Sequence, residues 1–322
     1  MAIIEVQNLK KDYSITVNKE DKGFKKILFP RKEIVHAVKG INMSIEKGSS
    51  VGFIGPNGAG KSTTIKMLTG ILKPTDGEIL VNGYSPCRQR KEYVKQIGVV
   101  FGNRSQLWWD LPAMDSFALF KEIYRIPTRV YKENMEIFSD ILDLRSIAYK
   151  PVRQMSLGQR MRCEIAASFL HNPEIVFLDE PTIGLDIVAK EQIREFVSYL
   201  NKEKNVTLLV TSHDMADIEN VCKDLIVIDH GSIVYQGQMS EVADVHGKHR
   251  YNDVRLEGEP IISDSRIKLV AENEKNKSYV IDLDKISIDE VIGCLSQTAK
   301  IEDIKISSTP IEDIIKEIYS KR

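Results

Sequence analysis

The segment Gly55-Pro-Asn-Gly-Ala-Gly60-Lys61-Ser62 restricts what this chain can fold into more than any other stretch. It fits the pattern Gly-x4-Gly-Lys-[Ser/Thr], in which glycines let main-chain N–H groups curl around phosphate oxygens. At ordinary residue frequencies, its four constrained positions arise by chance about once in a hundred chains of this length. Context narrows the reading further. The apolar run Val51-Gly-Phe-Ile54 precedes the loop and the helical stretch Thr63 to Leu68 follows it, giving the strand, loop and helix that the motif requires. Residues Gly55, Pro56, Asn57, Gly58, Ala59, Gly60, Lys61, Ser62 and Thr63 are therefore expected to cradle phosphates. The helix N-terminus faces the anion, Lys61 reaches the β- and γ-phosphates, and the Ser62 hydroxyl reaches Mg²⁺.

The surrounding sequence predicts an α/β fold of the P-loop NTPase type. Short apolar runs at Val51–Ile54, Gly98–Phe101, Ile175–Leu178, Thr207–Val210 and Leu225–Ile228 each end in polar or Gly-rich turns, as strands buried on both faces of a mostly parallel sheet do. Between Tyr84 and Ala167 the sequence is mainly helical, with amphipathic spacing over Met114–Tyr124 and Tyr131–Ile147. At the N-terminal end, Ile3–Tyr13 and His36–Ile45 alternate like strands around a polar, basic insert from Asn18 to Glu33. The insert reads as a solvated hairpin loop, or as a lipid-touching one through Lys25, Lys26, Arg31 and Lys32. After Gly237 the composition shifts to strand-like alternation over Asp253–Asp284 and helical stretches at Ile286–Thr298 and Pro310–Tyr319. The expected organisation is a domain over 1–240, with a helical subdomain at about 86–170, and a small α+β accessory domain over 245–322.

Composition removes several function classes. The 45 Lys+Arg against 46 Asp+Glu leave a net charge of −1, so no long-range field draws the molecule to nucleic acid, and no nucleic-acid partner is expected. Cys87, Cys163, Cys222 and Cys294 are scattered, without Cys-x-x-Cys or metal-ligand spacing. No apolar run reaches the ~18 residues of a membrane span. A cytoplasmic chain follows as the expectation.

Chemistry concentrates at a few further points. The strand Ile175–Leu178 ends in Asp179-Glu180, placing two carboxylates at the C-terminal sheet edge where ligands of such folds bind. Adjacent acids there can also open a helix; beside a phosphate loop, Asp179 reads as the metal ligand and Glu180 as the base for an attacking water. Asn18-Lys-Glu-Asp21 matches a guanine-reading pattern, but no Asp-x-x-Gly follows Asp179, so it is set aside.

Gly55 to Ser62, Ser156-Leu-Gly-Gln159, Phe177-Leu-Asp-Glu-Pro-Thr182, Gly184-Leu-Asp186 and Thr211-Ser-His213 occur in that order. Together they resemble the nucleotide-binding subunit of an ATP-binding cassette (ABC) transporter, over roughly Ile3 to Gly237. The resemblance implies ATP and Mg²⁺ as ligands, and a head-to-tail pair of cassettes with each ATP between the phosphate loop of one and the signature motif of the other. Ser156, Gly158 and Gln159 would then meet the γ-phosphate held by the second subunit, with Leu157 standing where the family usually has a glycine. It further implies His213 as the γ-phosphate switch, Asp186 reaching across the dimer, and Tyr13 stacking on adenine. The family's glutamine loop has no counterpart directly after Phe101: Asn103 or Gln106 orients Mg²⁺ and water, with Gln106 preferred.

Leu107-Trp-Trp-Asp-Leu-Pro112 resembles exporter cassettes that drive separate permeases of the ABC type-2 class. One tryptophan would lie in a permease groove, or both would be buried in an irregular turn. The implied function is an ATPase, peripheral on the cytoplasmic membrane face, that dimerises and powers a transmembrane permease. A ribosome- or DNA-acting cassette ATPase is the competing reading, weakened by the absence of a second cassette or a coiled-coil insert.

Overall fold

Strands form where apolar residues alternate or run together, and the described residues make three sheets. The computed structural model describes residues 1–16, 32–102, 104–212, 214–246, 249–257, 267–272, 276–282, 286–297, 300–308 and 314–315. Asn103, His213 and residues 17–31, which include most of the insert expected from Asn18 to Glu33, lie outside them. The chain divides into two compact units, Met1–Gln236 and Gly237–Arg322.

In the first unit, β1 (Ala2–Thr16) and β2 (Lys32–Glu46) make a long antiparallel ribbon, joined on the other side of β1 by β4 (Asp76–Val81). Alternation sends Ile4, Val6, Val38, Ile41, Met43, Ile45, Ile79 and Val81 inward. The larger sheet has the order β5-β6-β7-β3-β8-β9, from β3 (Ser50–Ile54), β5 (Ile97–Phe101), β6 (Ile175–Asp179), β7 (Thr207–Thr211), β8 (Asp224–Asp229) and β9 (Ser232–Gln238). All five apolar runs fall in it, and β5, β6, β7, β3 and β8 are mutually parallel. Because β3 sits between β7 and β8, the chain leaves it for the far edge and returns. The loops after β3, β5, β6 and β7 therefore all open at one C-terminal edge, the position such sheets reserve for ligands.

The helices are α1 (Lys61–Leu68), α2 (Arg90–Tyr93), α3 (Ala113–Ile123), α4 (Thr128–Ile141), α5 (Leu157–Phe169), α6 (Ile187–Lys204) and α7 (Met215–Val221). Helix α4 starts three residues before the expected Tyr131 and stops six before Ile147, because Asp143 turns left-handed at φ 48° just beyond Leu142. Helix α6, which the periodicity reading did not single out, ends on Asn205 at φ 53°. The edge-to-face rings of Phe138, Phe169 and Phe196, at 4.9 and 5.5 Å, lock α4, α5 and α6 together.

The second unit holds α8 (Met239–His246) and a four-stranded antiparallel sheet. The sheet order is β11-β12-β10-β13, from β10 (His249–Glu257), β11 (Ile267–Glu272), β12 (Asn276–Asp282) and β13 (Lys300–Ser308), with α9 (Ile288–Ser296) before the last strand. Strand β13 was not foreseen, its isoleucines being interrupted by charges. Of the expected helix Pro310–Tyr319, only 314 and 315 are described.

Phe196 is fully buried and joins three helices, so Phe196→Ala should lower unfolding free energy by about 3–5 kcal/mol. A urea titration that moves the midpoint down without changing the slope is the expected result.

Candidate active site

The phosphate loop is built by close backbone approach. A side chain at Gly55 would meet the Ile228 carbonyl at 2.2 Å and one at Gly60 the Ala37 carbonyl at 2.6 Å, so the loop is wedged between β8 and β2. The Gly231 N–H donates to the Ala59 carbonyl at 3.0 Å, and Ala59 N–H to Pro56 at 3.1 Å. Gly58, at φ 81° with open space beyond its Cα, leaves the loop's outer rim clear, and Pro56 and Asn57 are exposed. Ser62 and Thr63 stand half-buried in the first turn of α1, whose N-terminal end holds no acidic residue.

Lys61 is the charge at the centre. It is 6% exposed, and its Nζ donates to the carbonyls of Gly55 at 2.5 Å and Pro56 at 3.1 Å. Burial pulls its pKa down, while the Glu180 and Asp179 carboxylates act in the opposite direction. An ammonium so placed beside two acids can exchange carbonyl partners for phosphate oxygens.

Asp179 closes β6 in register with Phe101 and Thr211 on its two neighbours. Burial pushes its carboxyl up; hydrogen bonds from Thr211, whose hydroxyl donates at 2.8 Å, and from Ser62 work the other way, as Glu180 adds to the rise. Asp179 and Ser62 are thus direct neighbours, and hard oxygen donors both. Glu180 takes a left-handed backbone at φ 56°, a conformation that costs a non-glycine residue about 1 kcal/mol or more. Its N–H donates to the Thr211 hydroxyl at 3.0 Å, so one threonine fixes both acids. Sequence reading missed that role; a threonine closing the strand next to an acid-terminated one was the available signal.

Ser156 caps α5: its hydroxyl accepts from Gln159 N–H at 3.3 Å and the Gln159 side chain accepts from Ser156 N–H at 3.1 Å. The hydroxyl proton is not consumed by this box, so exposed Ser156 can still donate outward. Gly158 lets α5 approach α6 closely, since a Cβ there would lie 2.9 Å from the Ala189 methyl. Asp186 caps α6 in its own chain through the Ala189 N–H at 2.8 Å. Around these caps Leu157, Ile183, Ile187 and Val188 are exposed.

The Gln106 side chain donates to the Glu164 carbonyl at 3.0 Å and rests on α5. Tyr13 is 38% exposed with Lys11 Nζ 5.4 Å from its ring centre. Trp108 and Trp109 remain 42% and 53% exposed, so the alternative in which both are buried does not hold; Trp108 lies against Phe120 and Trp109 beneath the Arg160 guanidinium. A further unforeseen cluster centres on buried Asp217. It accepts from Arg194 Nε at 2.9 Å, from Ser212 Oγ at 3.3 Å and from the Thr182 hydroxyl, with Lys190 Nζ at 3.8 Å. It ties the loops after β6 and β7 to α6.

The pattern of the ABC transporter family matches residues 38–183. The chain is 34% identical over 212 residues to the ABC transporter ATP-binding protein NatA of Bacillus subtilis (strain 168), covering 66% of this chain and 86% of that protein. It is 29% identical over 293 residues to the bacitracin transport ATP-binding protein BcrA of Bacillus licheniformis, covering 88% and 92%. With ABC transporter A family member 1 of Dictyostelium discoideum it shares 34% over 221 residues, 69% of this chain but only 25% of that protein. The dimeric post-hydrolysis state of the ATP-binding cassette MJ0796 bound to ADP and Pi superimposes with a TM-score of 0.61 at 26% identity, over 73% of this chain and 98% of that one.

Because Asp179 titrates higher folded than unfolded, its ionised form weakens the nucleotide-free fold once pH exceeds the folded value; below the ordinary carboxylate pKa that penalty is absent. Asp179→Asn should therefore raise the melting temperature at pH 7 and not at pH 3, as thermal scans at both would register.

Proposed function

The chain belongs to the ABC transporter family as one of its ATP-hydrolysing cassettes, and from that premise we propose that it works as a pair, closing around two Mg-ATP to drive separate permease subunits in export. The observation that carries the Mg-ATP part of this reading is the meeting, at one sheet edge, of buried Lys61, the Ser62–Asp179 pair and strained Glu180.

Each residue has a role that its surroundings suit. Loop N–H groups and Lys61 take up phosphate charge. Ser62 and Asp179 are the protein ligands for Mg²⁺. Among the described residues no cluster of three His, Cys, Asp or Glu side chains forms a complete cage. Mg²⁺ commonly keeps phosphate and water ligands beside one or two from protein, a number that Ser62 and Asp179 can supply. Bound there, Mg²⁺ would neutralise charge on the transferred phosphoryl group. Glu180, held by the Thr211 clamp on its backbone, accepts a proton from the attacking water. Tyr13, partly exposed in β1, is assigned stacking on adenine. His213 is assigned γ-phosphate sensing on its motif alone, and Gln106 is assigned water and metal orientation on its place after β5.

Pairing is supported by what surrounds Ser156. Its spare hydroxyl proton and the Gly158 amide sit at a helix N-terminus, which attracts an anion. Beside them the exposed apolar Leu157, Ile183, Ile187 and Val188 are suited to burial against a second copy. Across that junction Asp186 would join the two sites. Among the described residues no helix is long and apolar enough to cross a membrane. We place the membrane path in separate permease subunits, and this subunit on the cytoplasmic face of the membrane.

In Glu180→Gln, ATP affinity should persist while turnover falls by about 10²–10⁴-fold. Size-exclusion chromatography with Mg-ATP should then show a stable dimer; turnover near the wild-type rate would remove Glu180 from its role.

A further inference from the structure

Glu164 is a carboxylate with 3% exposure in the middle of α5, away from the acids already assigned. A buried acid in a helix is costly unless its oxygens are filled, and packing alone would be served better by an apolar residue. Its oxygens are filled from one place, the segment after β5. The Ser105 hydroxyl donates to Oε1 and the Gln106 N–H to Oε2 at 3.1 Å, while the Gln106 side chain donates to the Glu164 main-chain carbonyl at 3.0 Å. One helical turn earlier on the same face, Arg160 covers the Trp109 ring at 5.8 Å. Helix α5 thus grips residues 105–109 at two points.

Both ends of this connection matter. Just after β5, the Gly102 N–H donates to the Asp179 carbonyl at 2.8 Å, and a Cβ on Gly102 would strike the Glu180 carbonyl at 2.5 Å. At the other end α5 begins at Ser156, eight residues or about 12 Å before Glu164 along a rigid helix. Gly102 therefore touches the backbone of the acid pair, and residues 105–109 are fastened through Glu164 to the helix whose first turn carries the exposed serine.

We propose that Glu164 is a positioning residue for hydrolysis, which pins residues 105–109 to α5, the helix whose first turn carries Ser156. Any slip of the segment leaves a buried carboxylate short of donors, so the docked arrangement is strongly preferred over partial release. This rests on the ATPase reading above and adds a residue that touches neither nucleotide nor metal.

The test uses the whole 322-residue chain, whose two tryptophans, Trp108 and Trp109, lie in the gripped segment. In Glu164→Ala without nucleotide, emission should shift to the red as the segment is released. Displacement of a fluorescent ATP analogue should give an affinity within about twofold of wild type, while kcat per binding-competent site falls about tenfold or more at unchanged KM. Glu164→Gln, which keeps one acceptor oxygen, should recover part of kcat. Adding Ser105→Ala to Glu164→Ala should cost nothing more, since both remove one contact. If Glu164→Ala does not fold, Ser105→Ala alone should lower kcat in the same direction. A wild-type chain that turns ATP over while these variants keep its kcat overturns the proposal alone, as does a loss confined to melting temperature. A wild-type chain that binds ATP without turnover overturns it together with the hydrolytic reading.

Discussion

An ammonium sunk at the edge of a parallel sheet is tolerated only where oxygen surrounds it, and much of the first unit serves that condition. Lys61 survives on the carbonyls of Gly55 and Pro56 and on the field of two acids. Those carbonyls point inward because the loop is squeezed between β8 and β2, and the acids stand nearby because β6 runs parallel to β3 one strand away. The sheet order, the glycines and the strand-end acids are thus three answers to one electrostatic requirement. The pull is mutual: burial drives Asp179 toward its neutral form and Lys61 toward its own, so the site without ligand holds charges it would rather not carry.

Much of this was legible beforehand, for a physical reason. A strand buried on both faces has to be a short, continuous apolar run, and each of the five such runs became a strand of the large sheet. Likewise a phosphate loop needs glycine at fixed spacing, so Gly55 to Ser62 declared itself. What stayed hidden depends on neighbours distant in the chain. Glu164 reads as one more polar helix residue until Ser105 and Gln106 are folded against it. Thr211 looks like any β-former until it lies beside Asp179. The end of α4 hinged on one left-handed residue, Asp143, and no apolar spacing reports a single dihedral angle. Trp108 and Trp109 were expected to need a groove or a core; each keeps a face open while leaning on Phe120 or Arg160.

The second unit follows simpler rules. Its antiparallel strands are joined in a sheet of order β11-β12-β10-β13, and α9 opens with Ser287 and Glu290 in a reciprocal cap. Buried Ile286, Val291 and Leu295 mark the apolar side of that helix segment, so this part of the chain has a core of its own. The match to BcrA over 293 residues extends into it, whereas the family pattern stops at 183.

The Asp217 cluster bears on how such a chain can drift. Arg194 and Asp217 face each other out of water, with Thr182 and Ser212 filling the remaining lone pairs. Exchanging Arg194 alone leaves the buried Asp217 carboxylate with only the more distant Lys190 for a cation, a loss of up to about 3 kcal/mol and a large share of a domain's net stability. Two positions 23 apart in the chain are therefore locked into a shared history: a lineage can abandon the pair, or keep it, but has no easy path through half of it.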